Sequence, residues 1–242
     1  LDRTTGRLAA TDGERIGPRI FHCTWSSPAL ALVAGRAQII FGGGDGVIYA
    51  FEPVTAAPPP GEVGRLKKVW QFDCDPAAPT EAVHRYIGNR TESPSNIKGM
   101  PVVHRNRVYV TVGGDLWWGK NEAWLKCIDA TRTGDITGTG ALWSYPLERH
   151  AMVTPAIADG LVFVADTGHR LHCVDAETGR PYWTHDVKGE VWASPLVADG
   201  RVYFATRRGE FLAFAASREK QLLGQTQLAG PISATPVAAN GV

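Results

Sequence analysis

The chain has 242 residues and a net charge of +1, and 44% of its residues are hydrophobic. So balanced a charge provides no basic field for binding nucleic acid or an anionic membrane surface, and no run of 18 apolar residues is present that could form a transmembrane helix. The 27 Gly and 16 Pro residues suit a domain of many short strands and turns.

Two sequence features recur along the chain in the same register. A proline that opens segments such as "TPAIADG" and "SPLVADG" recurs at intervals of 73, 54, 40 and 41 residues, at Pro28, Pro101, Pro155, Pro195 and Pro236. A tryptophan that follows the last turn of a unit recurs at intervals of 73 and 40, at Trp70, Trp143 and Trp183. Two unrelated residue types therefore predict one repeat of about 40 residues, which insertions lengthen in its first units.

The first and last residues of the chain also match parts of the repeat. The opening residues "LDRTTGR" match "VDAETGR" at 174–180, and "TPVAANGV" at the other end matches the start of a unit. We therefore expect the chain to begin inside one unit and to end inside another, with any targeting segment upstream.

Each unit is predicted to form four short strands. From residue 191 onward these are "WASPLVA", "RVYFAT", "EFLAFAA" and "KQLLGQTQ", which are rich in β-branched and aromatic residues. The pairs Asp159-Gly160, Asp199-Gly200 and Asn240-Gly241 are typical of two-residue hairpin turns, where both central residues need a positive φ. No stretch shows the sustained 3.6-residue period of a helix longer than about two turns.

A four-stranded antiparallel sheet of this length has two apolar faces and must stack on copies of itself. Stacking around an axis gives an all-β fold, the β-propeller. We expect four complete blades at about 24–73, 97–146, 151–186 and 191–227, with partial blades at 1–23 and 232–242. The recurring Trp is expected to cover the gap between neighbouring blades.

The units resemble the pyrroloquinoline-quinone-type (quinoprotein-like) propeller repeat. The resemblance rests on the strands of "RVYFATRRGEFLAFAA" and on the turn and Trp of "DAETGRPYW". It implies the propeller fold and export to the periplasm or cell surface. Repeats of this kind build quinone-dependent alcohol dehydrogenases, a lipoprotein that helps outer-membrane protein assembly, and other exported proteins.

The resemblance to the dehydrogenases of that family implies a characteristic set of active-site residues. They carry an adjacent Cys pair over the quinone, acidic and amide ligands to calcium, and an Asp base. No two cysteines are adjacent in this chain, and the nearest candidates, Asp115, Asn121 and Glu122, lie in an insertion without a matching motif. We therefore expect no catalytic set, cofactor or metal, and expect PQQ with calcium only if active-site residues lie partly outside this stretch.

Other conspicuous residues are expected to be structural. The "FGGGDG" at 41–46 leads into the strand "VIYAF" and is predicted to be a hairpin, because a phosphate-binding loop would lead into a helix. Cys127 and Cys173 share a third-strand position and are predicted to be buried thiols, whereas a Cys23–Cys74 disulfide stays open on spacing alone.

The histidines give no recognisable catalytic or metal-binding pattern. His22 joins no ligand set or triad that the sequence reveals, and His169, His172 and His185 lie on strands or at their ends, where satisfied structural groups are expected.

Insertions in the repeat mark the candidate binding surface, because loops on a rigid scaffold tolerate growth. Strand alternation places the insertions at 74–96 and 114–122 on one face, and those at 53–66 and 131–140 on the opposite face. The first face gathers aromatic, cationic and acidic residues, namely His84, Arg85, Tyr86, Arg90, Glu92, Asp115, Trp117, Trp118 and Lys120. Such a mixture suits a protein or carbohydrate-like ligand. The alternative is that Trp117 and Trp118 only pin the longer loop.

The sequence thus favours an exported, non-catalytic binding or scaffold propeller. A quinone-dependent alcohol dehydrogenase-like enzyme is the alternative.

Overall fold

Hairpins of short antiparallel strands make up nearly all regular structure of the chain. A computed structural model describes residues 1–56, 58–59 and 61–239. Within these residues the helical segments are two 3₁₀ turns, Gly17–Arg19 and Val83–Tyr86. No helix in this described part is long and apolar enough to cross a membrane.

Four sheets follow one another along the chain, and we name them the first to fourth blades. A short strand, β1 (Ala10–Thr11), precedes them. The first blade contains β2 (Ala29–Val33), β3 (Arg36–Gly42), β4 (Val47–Phe51) and β6 (Lys68–Asp73), and β5 (Gly64–Arg65) lies before β6. The second contains β7 (Val102–His104), β8 (Arg107–Gly113), β9 (Ala123–Asp129) and β11 (Ala141–Leu147), and β10 (Gly134–Asp135) lies before β11. The third contains β12 (Ala156–Ala158), β13 (Leu161–Ala165), β14 (Arg170–Asp175) and β15 (Pro181–Asp186). The fourth contains β16 (Leu196–Ala198), β17 (Arg201–Ala205), β18 (Glu210–Ala215) and β19 (Leu222–Gln227).

The first blade departs from the expected four strands. Strand β10, from the 131–140 insertion of the second blade, pairs in parallel with β6 and makes a five-stranded sheet. Strand β5, from the 53–66 insertion, pairs in parallel with β1. The 131–140 insertion therefore extends the sheet of the first blade, and the 53–66 insertion forms a separate two-stranded sheet with β1, because their backbones reach unpaired strand edges. Residues 232–239 form no strand in the described part of the chain.

The hairpin turns have the predicted backbone conformation. Asp159 and Gly160 have φ values of 49° and 77°, and Asp199 and Gly200 have 48° and 67°. Asn240-Gly241 lies outside the described residues. The turn at 34–35 and the turn at 105–106 use the same left-handed conformation, although the Ala and Arg in them gave no sequence signal.

The Asp that begins each Thr-Gly turn accepts backbone hydrogen bonds. Asp175 Oδ1 accepts from the N–H groups of Glu177 and Thr178 at 3.0 and 2.9 Å. Asp2 Oδ1 makes the equivalent bonds near the start of the chain, which explains the match between the two segments. Gly179 is required here because its φ is 71° and a Cβ would lie 2.6 Å from the Trp143 ring.

The recurring tryptophans bind neighbouring blades together. Trp183 is buried, its ring lies 5.3 Å from that of Phe214 in the fourth blade, and its Nε1–H donates to the Ser217 carbonyl at 3.0 Å. Trp143 donates to the Ala176 carbonyl of the third blade at 3.2 Å. Trp70 differs, since its Nε1–H donates to Gln38 Oε1 of its own blade, but it shares a buried cluster with residues of the second blade.

A second link between blades explains the Ser or Thr before the repeated proline. The Met100 N–H donates to Thr154 Oγ1 at 2.9 Å, the Thr154 N–H to Ser194 Oγ at 2.9 Å, and the Ser194 N–H to Thr235 Oγ1 at 3.2 Å. Each donor and acceptor occupies the same position in successive units. The hydroxyl of one unit thus satisfies a backbone donor of the preceding blade.

The cysteines of the third strands are buried thiols, as predicted. Cys127 and Cys173 are fully buried and form no disulfide, and burial raises the pKa of each to about 12. Cys23 and Cys74 are free thiols as well.

Replacing Trp183 by Ala should lower the free energy of unfolding by roughly 3–5 kcal/mol, because it removes a large ring from the packing between the third and fourth blades. Denaturant unfolding measures this change. Leu142→Ala, at an exposed site, is the control and should stay within about 0.5 kcal/mol of the parent. An equal loss in the two variants would contradict the assigned role.

Ser194→Ala should cost about 1 kcal/mol, because it removes the acceptor for the Thr154 N–H. Ser27→Ala makes the same chemical change at the matching position of the first blade, where the side chain is exposed, and should have little effect. Unfolding midpoints of the two variants provide the comparison. A Ser194 variant as stable as the Ser27 variant would show that the hydroxyl link contributes nothing.

Candidate functional site

The insertions at 74–96 and 114–122 contact each other through backbone groups. The Gly88 N–H donates to the Trp118 carbonyl at 2.8 Å. The Arg90 guanidinium donates to the carbonyls of Leu116, Trp117 and Gly119 at 3.1, 2.5 and 3.1 Å. Arg90 therefore fixes the turn that carries the two tryptophans.

Asp115 holds that turn from the inside. Its Oδ1 accepts from the N–H groups of Trp117 and Trp118 at 2.9 and 3.0 Å. Its Oδ2 accepts from His22 Nδ1 at 3.0 Å and lies 3.2 Å from Lys98 Nζ. The carboxylate is fully buried, so one side chain joins the turn to two cationic or polar groups from other segments.

The charge state of Asp115 follows from these contacts. Burial alone would raise the pKa of its carboxyl, but the Lys98 charge and the hydrogen bonds from His22, Trp117 and Trp118 outweigh burial and lower the pKa to about 2. Asp115 is therefore ionised at neutral pH. His22, which joins no triad or ligand set that the sequence reveals, is brought by the fold to Asp115, a residue 93 positions away.

Lys120, on the same insertion as Asp115, forms an ion pair with Asp75. Its Nζ lies 2.7 Å from Asp75 Oδ2, which also accepts from Ser95 Oγ at 2.6 Å. Lys120 and Asp115, both expected on the recognition surface, are buried because each charge finds an opposite charge on another loop. They support the surface and are not part of it.

Four tryptophans lie above this buried cluster. Trp117 lies 5.7 Å from Trp25 and 6.0 Å from Trp192 between ring centroids, and Trp118 lies 4.2 Å from the His22 ring. Trp25 is 48% exposed, and Trp117 and Trp118 are each 38% exposed. The Arg207 guanidinium lies 4.1 Å from the centroid of Trp192. We call Trp25, Trp117, Trp118, Trp192 and Arg207 the tryptophan face.

The remaining residues predicted for the binding face lie on the 74–96 insertion, apart from the tryptophan turn. His84 and Arg85 are exposed on the 3₁₀ turn with half-buried Tyr86, and Glu92 is exposed farther along the loop. Within the described residues their side chains make no hydrogen bond to the tryptophan face.

The proline register contains the signal that could have revealed this surface. Trp25 and Trp192 each lie three residues before the repeated proline, as does Lys98. Cys23, Asn96, His150 and Glu190 each lie five residues before it. Because equivalent positions of successive blades face the same axis, residues distant in sequence converge there.

Two buried polar side chains near Asp115 and Lys98, those of His150 and Asn96, each have one nitrogen atom without a hydrogen-bond partner among the described residues. His150 Nε2–H donates to the Lys120 carbonyl at 2.8 Å, so its Nδ1 carries a lone pair. In the described residues neither His150 Nδ1 nor Asn96 Nδ2 has a hydrogen-bond partner. Burial lowers the pKa of His150 to about 4, with a smaller contribution from the Lys98 charge.

His150 should make stability fall as the pH falls from about 6.5 towards about 4. Its pKa drops from the ordinary 6.5 to about 4 on folding, so within this window the unfolded chain binds a proton that the folded chain does not. His150→Gln should flatten this part of the pH dependence, measured by denaturant unfolding. The exposed His84→Gln is the matched control, and a flattening of the same size there would contradict the assignment.

Parts of the chain are similar to known proteins. Residues 121–225 match the family described as outer membrane protein assembly factor BamB. A quinohemoprotein alcohol dehydrogenase from Comamonas testosteroni is 26% identical over an alignment of 116 residues that covers 43% of this chain and 16% of that protein. An outer membrane protein assembly factor BamB from Nitrosomonas eutropha is 28% identical over 103 residues, 42% of this chain and 25% of that protein. The crystal structure of BamB from Moraxella catarrhalis aligns with a TM-score of 0.59 at 17% identity, covering 96% of this chain and 56% of that one.

The fold is that of a β-propeller with four-stranded antiparallel blades. The repeats of residues 121–225 are similar to those of the pyrroloquinoline-quinone-type (quinoprotein-like) propeller proteins. Its matched segments span only 16% and 25% of the length of the two curated relatives.

Proposed function

We propose that this chain is part of an exported, non-catalytic binding propeller, and that its tryptophan face docks an apolar segment of a protein partner. The carrying observation is the exposure of Trp25, Trp117 and Trp118. Trp117 and Trp118 lie on a turn whose N–H groups are held by the buried Asp115 carboxylate, and Arg207 lies over the ring of the neighbouring Trp192. Trp and Arg are the residues most enriched at the energetic centres of protein interfaces. One curated relative is named as an assembly factor, which agrees with a protein partner and an exported location.

The ring geometry favours a peptide over a carbohydrate-like ligand. Trp117 is inclined by 71° to Trp25 and by 85° to Trp192. A sugar stacks best on a flat aromatic face, whereas steeply inclined rings present both edges and faces to apolar side chains.

The alternative function is that of a quinone-dependent alcohol dehydrogenase, which another relative's name supports. The polar cluster does not fit a calcium ion. The groups that converge with Asp115 are the His22 imidazole and the Cys23 thiol, whereas calcium requires oxygen ligands, and the nearby Asn96 Oδ1 already lies 2.5 Å from the Lys98 ammonium. All four cysteines are free thiols. Under this alternative the active-site residues would lie outside this chain.

Peptide selection tests the binding proposal. Random peptides displayed on phage and selected on this chain should be apolar and aromatic, and Trp117→Ala/Trp118→Ala should weaken their binding by about tenfold or more, as expected for loss of interface tryptophans. The fold should survive, because the turn is held by backbone and Asp115 contacts. The control is Leu222→Ala/Leu223→Ala, at exposed apolar residues of β19, which should bind as the parent does.

Two results would count against the proposal. One is selected peptides that bind the double tryptophan variant with unchanged affinity while its unfolding midpoint matches the parent. The other is dye-linked alcohol oxidation, after addition of quinone and calcium, by a protein that carries this chain together with the active-site residues that the alternative places outside it, which would favour the dehydrogenase.

A further inference from the structure

His22, Cys23 and Asp115 bring three different metal-binding groups together beneath the tryptophan face. An imidazole nitrogen, the thiol sulfur and a carboxylate oxygen all lie within 4.8 Å of one another. His22 and Cys23 enter from the segment before the first blade, and Asp115 comes from the second blade. We propose that these three residues form a binding site for a borderline divalent transition-metal ion of the zinc class.

The ligand set decides the class of metal. Zinc accepts nitrogen, sulfur and carboxylate oxygen together at about 2.0–2.3 Å, whereas calcium and magnesium require oxygen ligands. Ligands of one tetrahedral ion lie roughly 3.3–3.8 Å apart at such bond lengths, so shifts of roughly 1–1.5 Å at most close the site. His22 and Cys23 are partly exposed, which leaves an approach for the ion and for a fourth ligand.

Asp115 is already oriented for this role. Its Oδ1 is held by the Trp117 and Trp118 N–H groups, and its Oδ2 faces His22. Hydrogen bonds that fix the free oxygen of a coordinating carboxylate raise metal affinity, because they remove the need to reorient it. A bound ion would link the first blade directly to the tryptophan turn.

Lys98 competes with the ion for the same oxygen. Its ammonium lies 3.2 Å from Asp115 Oδ2 and keeps a second partner, Asn96 Oδ1, at 2.5 Å. Metal binding therefore exchanges one cation for another at Asp115, while Lys98 retains the Asn96 oxygen. This competition predicts that removal of the ammonium strengthens metal binding, which an adventitious surface site would not show.

Cobalt(II) is the spectroscopic probe for the site, and zinc(II) is the probe for affinity. Cobalt added to the reduced chain should give a thiolate-to-metal charge-transfer band, and Cys23→Ser should abolish it. In calorimetric titrations with zinc, Cys23→Ser and His22→Ala should each weaken binding by about tenfold or more, and Lys98→Met should tighten it. His84→Ala, at an exposed histidine of the neighbouring loop, is the matched control and should bind zinc as the parent does.

The proposal fails if the parent gives no charge-transfer band with cobalt, or if Cys23→Ser binds zinc as tightly as the parent. It also fails if Lys98→Met weakens binding while the unfolding midpoint shows a folded variant. The metal site does not rest on the peptide-docking proposal, because its readouts are the spectrum and the zinc affinity.

Discussion

A hydrogen bond joins the residues that precede the repeated proline in successive units. This bond sets how each unit is placed against the next. Three such bonds join the second, third and fourth blades and the segment that follows. Proline keeps the preceding residue in an extended conformation, so the N–H and the hydroxyl at that position have defined directions. The same bond at these three junctions gives the same offset between the units that it joins. Residues three and five positions before the repeated proline therefore lie at one end of the propeller axis.

The junction between the first and second blades uses different chemistry. Met100 occupies the position of the hydroxyl residue there and has no acceptor to offer the first blade. Side chains of the insertions join this junction: Asp115 accepts a hydrogen bond from His22, and Lys120 forms an ion pair with Asp75. The candidate site therefore lies where the repeated hydrogen bond is absent. There the side chains of acidic, basic and histidine residues, instead of Ser or Thr hydroxyls, hold two blades together.

Local chemistry explains which features were predictable from the sequence. The Asp-Gly turns, the Thr-Gly turn and the buried Cys127 and Cys173 depend on a few neighbouring residues and on the strand period, so the pattern alone predicted them. The parallel pairing of β10 with β6 depends on where an insertion meets another blade's edge. The burial of Asp115 depends on His22 and Lys98, which come from other segments, and an acidic residue in an inserted loop gives no sign of such partners.

Asp115 shows why a buried ion pair is retained beneath an exposed aromatic surface. A buried pair contributes little net stability, since desolvating two charges offsets their attraction. Apolar residues could replace the Asp115–Lys98 pair without that cost, but they could not accept the Trp117 and Trp118 N–H groups. An asparagine could accept those two bonds, yet its amide N–H₂ would then face the Lys98 ammonium and the His22 Nδ1–H, which are donors as well. Only a carboxylate offers acceptors on both sides, so the identity of this residue is set by the turn that presents the tryptophans.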